Sequence, residues 1–195
     1  KVISKLKLRA SYGQVGNANL GGRRFAYLST ITDDYETLNM YKWGLDSSYG
    51  LTGMAEGEFA VQDLTWEIVN KMNLGLELGF LNGMIDLQLD YFDERRKDIF
   101  MPRESVPMTA GFMKQPWKNF GKVTNQGVEV SLNVNKQFGK DLFVSLMGTF
   151  TYAHNEITEK DEPSAVVGTN RAETGHPVGQ LTGYIAEGLF TADDF

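Results

Sequence analysis

Two histidines, His154 and His176, are the side chains in this sequence best suited to proton transfer or metal binding at neutral pH. Neither has the spacing of a hydrolytic zinc motif such as H-E-x-x-H, in which a carboxylate directly follows the first histidine. The chain contains no cysteine, which excludes thiol nucleophiles, disulfides and thiolate metal sites within it. We therefore predict no catalytic, metal or cofactor-binding residue, and we do not expect an enzyme.

Acidic pairs occur at Asp33-Asp34, Asp161-Glu162 and Asp193-Asp194, and carboxylate oxygens are ligands that Ca²⁺ prefers. None of the pairs follows the spacing of an EF-hand loop. Solvated loop surface is the simpler interpretation, and weak calcium binding stays an open alternative. The net charge of -6 argues against a partner nucleic acid, because proteins that bind nucleic acid normally present a basic face.

Aromatic side chains in the polar parts of the chain are the remaining candidates for binding. Tyr41, Trp43 and Trp117 are set among loop-forming residues, and rings of this kind stack on sugars or anchor protein contacts. We take these three as candidate contacts for a ligand or a partner. Trp66 stands at the entrance to a predicted strand, where an interfacial position is the better interpretation.

Strands must position all these residues, since apolar and polar side chains alternate with a period of two over five stretches of the chain. Such alternation is the signature of strands with one apolar face. No stretch of comparable length has a helical period, and no apolar run approaches the ~18 residues of a membrane-spanning helix. The sequence predicts an all-β protein, an antiparallel meander of about five strands at about 4–12, 70–80, 84–93, 126–135 and 142–154.

The links between these strands are unequal in length. Short links at 81–83 and 136–141 join two pairs of strands, whereas long links occupy about 13–69, 94–125 and 155–195. Because antiparallel strands alternate in direction, all the short turns lie at one end of the sheet and all the long loops at the other. Transmembrane β-barrels have this asymmetry, and their strands have about this length.

A transmembrane barrel predicts that the apolar face meets lipid. The alternative is a soluble β-sandwich, such as a carbohydrate-binding module, which hides its apolar faces between two sheets and has short turns at both ends. The loop asymmetry favours the barrel. The residues predicted to face lipid are Leu6, Leu8, Leu74, Leu76, Leu78, Ile85, Leu87, Leu89, Val128, Val130 and Leu132.

Several phrases occur in a set order along the chain. The phrases are KLKLRASYGQVGN (5–17), LTWE (64–67), LGLELGFLNGMIDLQLDYFDERRKDIF (74–100), VP (106–107), NFGKVTNQGVEVSL (119–132), TYAHNEI (151–157) and ETGHPVGQLTGYIAEGLF (173–190). Any one phrase is a weak signal, but the ordered set resembles the carboxy-terminal barrel region of SusC/RagA-type TonB-dependent outer-membrane transporters. The resemblance covers nearly the whole chain apart from about 18–60.

The resemblance implies that residues 1–195 are a partial segment of a large barrel in the outer membrane of a Gram-negative bacterium. It implies import of oligosaccharides or peptides, with a SusD-like surface lipoprotein closing the outer mouth and TonB supplying energy. The plug domain and the TonB-interacting segment of the family are absent from this sequence and are expected upstream. Trp43, Trp117 and Tyr41 then become candidate contacts for the cargo or the lipoprotein lid.

Overall fold

The computed structural model describes residues 2–32, 41–45, 49–51, 54–112, 114–186 and 188. Its main feature is one antiparallel sheet of five long strands. The strands are β1 (Ile3–Asn17), β6 (Glu67–Phe80), β7 (Ile85–Pro102), β8 (Trp117–Phe138) and β9 (Leu142–Glu159). Their order in the sheet is β1-β6-β7-β8-β9, so β1 and β9 form its two open edges. The predicted all-β meander of five strands is confirmed.

The link between β1 and β6 carries four very short strands. They form two small two-stranded sheets, and the described residues also include 3-10 turns at Leu81–Gly83 and Met108–Ala110. Among the described residues we find no helix with the length and apolar character needed to cross a bilayer. The short strands are β2 (Ile31–Thr32), β3 (Tyr41–Trp43), β4 (Tyr49–Leu51) and β5 (Ala55–Glu56), paired β2 with β5 and β3 with β4.

The tight turn between β6 and β7 has three successive residues in the left-handed region. The φ angles are 52° at Leu81, 57° at Asn82 and 87° at Gly83. Glycine and asparagine accept such angles at little cost, whereas leucine does not. Strand pairing on both sides holds the turn in place, and the Leu81 amide also donates to the carbonyl of Val2 at 3.0 Å.

At the short-turn side of the sheet, the boundaries of all five strands lie close to the predicted positions. At the long-loop side they run further than the alternation suggests: β7 continues to Pro102 instead of ending near residue 93, and β8 begins at Trp117 instead of near 126. The outer links are correspondingly shorter than predicted. The alternation predicts shorter strands because the apolar side chains change from one face of the sheet to the other in this outer part.

A β-bulge interrupts the pairing of β7 with β8 in this outer part of the sheet. Asp98 has a φ of 58°, and the pairing register shifts between Arg96 and Ile99. The side-chain amide of Asn119 donates to the carbonyl of Asp98 at 2.8 Å and to that of Thr65 at 2.9 Å, and its oxygen accepts from the Thr65 amide. Asn119 therefore fixes the bulge and the entrance to β6 together.

Very little of the described structure is a conventional hydrophobic core. The buried apolar residues are small or few, and no large side chain is fully buried among the residues described. A β-sandwich would place a second large sheet over the apolar face, and the described part of the chain contains none. The buried apolar residues are Ala26, Val61, Val69 and Ile157.

Candidate functional site

The sheet has two chemically different faces, and strand register defines both. The leucine-rich face carries Leu76 and every residue in phase with it, whereas the charged face carries the neighbour Glu77 and its equivalents. The structure places all eleven residues predicted to face lipid on the leucine-rich face. They stand in aligned rows across the strands, one of which is Leu8, Leu76, Leu89, Val130 and Phe150.

The leucine-rich face is open instead of packed. Leu8 is 77% exposed and Phe150 is 61% exposed, each in the middle of an edge strand, and Leu74 on the interior strand β6 is 47% exposed. Contiguous apolar surface of this kind is not stable in water and normally marks a contact with another protein or with a membrane. That the contact is lipid remains a prediction.

Aromatic residues border the leucine-rich face toward the long loops. Tyr12 and Tyr152 are exposed there, each at the last apolar position of this face on its strand. The Trp66 ring lies across Gly16, so close that a β-carbon at that position would stand 2.8 Å from it. Gly16 is in phase with Tyr12, which places the indole on the same face. Amphipathic rings in a belt of this kind suit a boundary between lipid and water.

Beyond this belt the two faces exchange character. The next full row on the leucine-rich side is polar: Gln14, Asn70, Arg95, Thr124 and Glu156. The adjacent row on the charged side is apolar except at one position: Val15, Val69, Arg96, Val123 and Ile157. The apolar alternation thus changes phase within one row in neighbouring strands: Tyr12 and Met72 continue the apolar face on β1 and β6, whereas their register partners on the other three strands, Asp93, Gln126 and His154, are already polar. Such a change is expected where the outer surface of a barrel leaves lipid and enters water.

On the charged face, Arg9 reaches Asp90 across the strand that separates them. Arg9, Gly75 and Asp90 are register partners on β1, β6 and β7, and the Arg9 Nη2 atom lies 2.9 Å from Asp90 Oδ1. A β-carbon at Gly75 would stand 2.6 Å from Asp90 Oδ1 and 2.9 Å from Arg9 Nε. Glycine is therefore required at position 75 by the ion pair that passes above it. Gln88 also donates to Asp90, at 2.8 Å.

Glu77 on β6 forms ion pairs with three basic residues of β1. Lys5 Nζ lies 2.8 Å from Glu77 Oε2, while Lys7 Nζ and Arg9 Nε lie 3.2 and 3.1 Å from Oε1. Together with Asp90 these groups form a continuous band of paired charge over three strands. The band suits a face that meets water or another polar domain, and it is incompatible with lipid.

The loops above the sheet are fastened to it through aromatic and ionic contacts. The Arg23 guanidinium lies 4.2 Å above the Trp117 ring, which also packs against Phe100 with the centroids 5.1 Å apart. Trp117, one of the predicted ligand contacts, is therefore a half-buried anchor. The other two, Tyr41 and Trp43, lie on the short strand β3, and their side chains are outside the described part of the structure.

A second contact joins the link after β7 to the link after β9. Asp161 is 7% exposed, and its Oδ2 atom accepts from Arg103 Nε at 2.8 Å, from Ser105 Oγ at 2.9 Å and from the Ser105 amide at 3.2 Å. Burial raises the pKa of Asp161, but the hydrogen bonds from Arg103 and Ser105 outweigh it and hold this pKa below its ordinary value.

The two histidines lie on different segments of the chain. His154 lies on β9 and His176 in the link beyond it, where its carbonyl accepts from the Ile157 amide at 2.9 Å. Among the described residues, no cluster of three or more histidine and acidic side chains has the geometry to hold a metal ion.

Sequence reasoning missed two features of this site. The Arg9–Asp90 pair needs the register of three strands, which alternation alone does not give. The sequence does show the apolar side chains changing phase, for example between Leu74 and Val69. A rule of constant alternation takes such a change as the end of a strand.

Comparison with known proteins places this geometry in a family. The family model for the TonB dependent receptor-like β-barrel matches residues 1–189. The TonB-dependent receptor SusC of Bacteroides thetaiotaomicron is 34% identical over 161 residues, which cover 81% of this chain and 15% of SusC. The TonB-dependent receptor P39 of Formosa agariphila is 28% identical over 98% of this chain and 17% of its own length.

Solved structures agree with the sequence relatives. The RagAB peptide importer in its 'closed-closed' state matches 91% of this chain and 18% of the solved chain, with a TM-score of 0.65 and 25% identity. Its 'open-open' state matches 87% of this chain and 16% of the solved chain, with a TM-score of 0.63 and 26% identity. The chain thus spans less than a fifth of each of these relatives, and it belongs to the β-barrel family of TonB-dependent receptors, of the SusC/RagA type.

Proposed function

We propose that this chain forms part of the wall of an outer-membrane transporter that imports oligosaccharides or peptides into a Gram-negative bacterium. A SusD-like lipoprotein covers the outer mouth, and TonB acts through parts of the transporter that this chain does not contain. The leucine-rich face meets lipid, the charged face meets the lumen or the plug, and the turn at Leu81–Gly83 lies on the periplasmic side.

The observation that carries the proposal is the open leucine-rich face and its limited height. On β6 this face runs from Met72 to Phe80 before polar residues replace it. At about 3.3 Å per residue and a tilt of about 40°, such a stretch covers roughly 23 Å. The apolar band of an outer-membrane barrel is about 25 Å tall, so one membrane thickness accounts for the whole face.

The family relationship supports the import function and the partners. SusC is named a TonB-dependent receptor, and the RagAB structures are titled as a peptide importer in open and closed states. The long links above the aromatic belt, at one end of the sheet, suit a mouth that a second protein covers. Because they lie in these links, Tyr41 and Trp43 stay proposed contacts for the cargo or the lipoprotein lid. Trp117 supports a neighbouring loop.

Import is tested on the complete transporter in its own host. Deletion of its gene should abolish growth on the peptide or oligosaccharide that it carries, and the wild-type gene should restore growth. Antibody labelling of unbroken cells should detect an epitope inserted in the link near Ser164, because this link lies outside. Restored growth with an epitope reachable only after the outer membrane is broken would refute the proposed orientation. No growth defect on any member of either nutrient class would refute the proposed import.

A further inference from the structure

A hollow of about 620 Å³ lies on the charged face where that face becomes apolar. It is formed by the outer parts of β7, β8 and β9, beyond the polar band around Asp90. Its floor consists of aliphatic and thioether side chains. The Met101 sulfur lies over Gly121, 2.9 Å from where a β-carbon would stand, and Ala153 contributes only a methyl group to the lining. The floor residues are Ile99, Met101, Val123 and Ile157.

Two amides stand beside each other at the inner edge of this hollow. Asn125 and Asn155 are register partners on β8 and β9, and both line the hollow. The Asn155 Oδ1 atom accepts from the Val178 amide at 2.7 Å, which leaves its Nδ2 group as a donor. Within the part of the chain that the structure describes, neither Nδ2 of Asn155 nor the Asn125 side chain has a hydrogen-bond partner.

The segment after β9 closes one side of the hollow. Its Gly175 amide donates to the Ile157 carbonyl at 2.8 Å, and the Ile157 amide donates to the His176 carbonyl at 2.9 Å. These bonds pair the segment with the free edge of β9 and bring Glu173 and Val178 to the hollow. The hollow is therefore a built feature with a wall of its own, distinct from the general curvature of the sheet.

The charged groups around the hollow balance one another. Three basic and three acidic side chains line it. Glu94 is paired with Lys71 at 2.7 Å, and Lys160 with Glu173 at 2.7 Å. The remaining lining charges are also paired: Arg96 with Glu67, and Lys122 with Glu159. A neutral occupant leaves all these ion pairs intact, whereas a charged one competes with them.

We propose that this hollow is a cargo subsite for an aliphatic side chain of a peptide, with Asn125 and Asn155 binding the adjoining peptide backbone. This assignment rests on the import function proposed above and narrows its cargo to peptides. A side-chain amide offers both a donor and an acceptor, as a peptide group requires. The aliphatic floor gains from burial of a leucine-sized group, and methionine adapts its shape to different ones.

An oligosaccharide fits the same hollow poorly. Among the described residues that line it none has an aromatic ring, so these side chains offer no flat platform for a sugar ring. Sugar hydroxyls placed against Ile99 and Val123 would lose hydrogen bonds to water without replacing them, which is costly. The apolar floor and the paired amides therefore favour a peptide.

The test uses the complete transporter, purified in detergent, and three probes. The probes are a Gly-Ser decapeptide with one central leucine, the same peptide with a central serine, and maltoheptaose. We expect the leucine peptide to bind about 10- to 100-fold more tightly than the serine peptide, the range expected for burying one such side chain. Titration calorimetry measures the three affinities.

Two substitutions on β9 locate the effect. Ala153→Phe fills the hollow and should remove the preference for leucine, whereas Thr151→Phe is a matched control on the same face of the same strand and outside the hollow. A heat-shifted gel band checks that both variants are folded barrels. Asn125→Ala should weaken both peptides alike, by about tenfold, because it removes hydrogen bonds to the backbone.

A leucine preference that Ala153→Phe abolishes and Thr151→Phe preserves supports the subsite. Equal binding of both peptides, a preference that survives Ala153→Phe, or a plug side chain seated in the hollow of the complete transporter overturns it. Binding and uptake of maltoheptaose without peptide binding also overturns the subsite while the import function stands. Failure of the host to import either class refutes the import function itself.

Discussion

Arg9 and Asp90 form an ion pair across an intervening strand, with 2.9 Å between Nη2 and Oδ1. The pair is possible because Gly75, the register partner of both residues, has no side chain to stand between them. One glycine thus lets the charged face tie β1 to β7 through residues that are 81 positions apart in the sequence.

Gly75→Ala should destabilise the barrel by about 1–3 kcal/mol, since the new methyl group displaces Arg9 and leaves the nearly buried Asp90 without its charged partner. The measurement is the temperature at which the folded band of the complete transporter disappears on a gel. Gly13→Ala on β1 is the control, because nothing lies within 4 Å of the added carbon. Equal transition temperatures for the two variants would show that the ion pair contributes nothing.

Arg introduced on the leucine-rich face should hinder assembly, whereas Arg on the charged face of the same strand should not. Leu76→Arg places a charge in the proposed lipid contact and should cost about 2–4 kcal/mol at mid-bilayer. Asn73→Arg adds the same side chain to the other face of β6. The amount of folded transporter in outer-membrane fractions measures both effects. Normal assembly of Leu76→Arg would contradict the assignment of this face.

The contact between Asp161 and Arg103 should weaken in acid. Because the folded-state pKa of Asp161 is held below its ordinary value of 3.8, the contact stabilises the loops fully above that value and is lost as pH falls through the lowered pKa. Hydrogen exchange at Ser105, corrected for its intrinsic pH dependence, should rise in that range. Asp161→Asn should exchange fast already at neutral pH and show little further change. Slow exchange in this variant would contradict the role of the carboxylate.

Loss of the Arg23 contact with Trp117 should free the link that follows β1. Arg23→Ala removes a stacking interaction of about 1 kcal/mol together with the ion pair to Glu58 at 3.3 Å, and it leaves Arg24 as a trypsin site. We expect faster cleavage after Arg24 in whole cells. Arg23→Lys keeps the charge and a trypsin site but stacks less well, so its rate at Arg24 should be intermediate. An unchanged cleavage rate in Arg23→Ala would mean that the loop is held by other contacts.

The sequence predicts the meander and the common face of the eleven apolar residues because both follow from a period of two. It does not predict how far the strands extend. Between Leu74 and Val69 the apolar phase changes from one face to the other, as the proposed lipid contact requires: beyond the apolar band the outer surface would meet water and the inner surface would pack. A prediction that requires constant phase ends the strand at this change. It therefore starts β6 at residue 70, whereas the strand begins at Glu67.

The contacts that organise the loops were beyond sequence reasoning for a different reason. Arg103 and Asp161 are 58 residues apart, and Asn119 is 54 residues from Thr65. Neither pair stands in a local motif, so only the fold brings the partners together. The aromatic signal at Trp117 was real, but its environment, a guanidinium on one side and Phe100 on the other, depends on the same long-range packing.

Two neighbouring residues on β8 test directly whether the leucine-rich face contacts lipid. The 195 residues contain no cysteine, so Leu132→Cys and Ser131→Cys each give this segment one labelling site, in a background freed of any other cysteines. A bimane label on each is measured in bilayers of brominated lipid. If the leucine-rich face contacts lipid, quenching should be strong at position 132 and weak at 131. Equal quenching at both positions, or stronger quenching at 131, would contradict it.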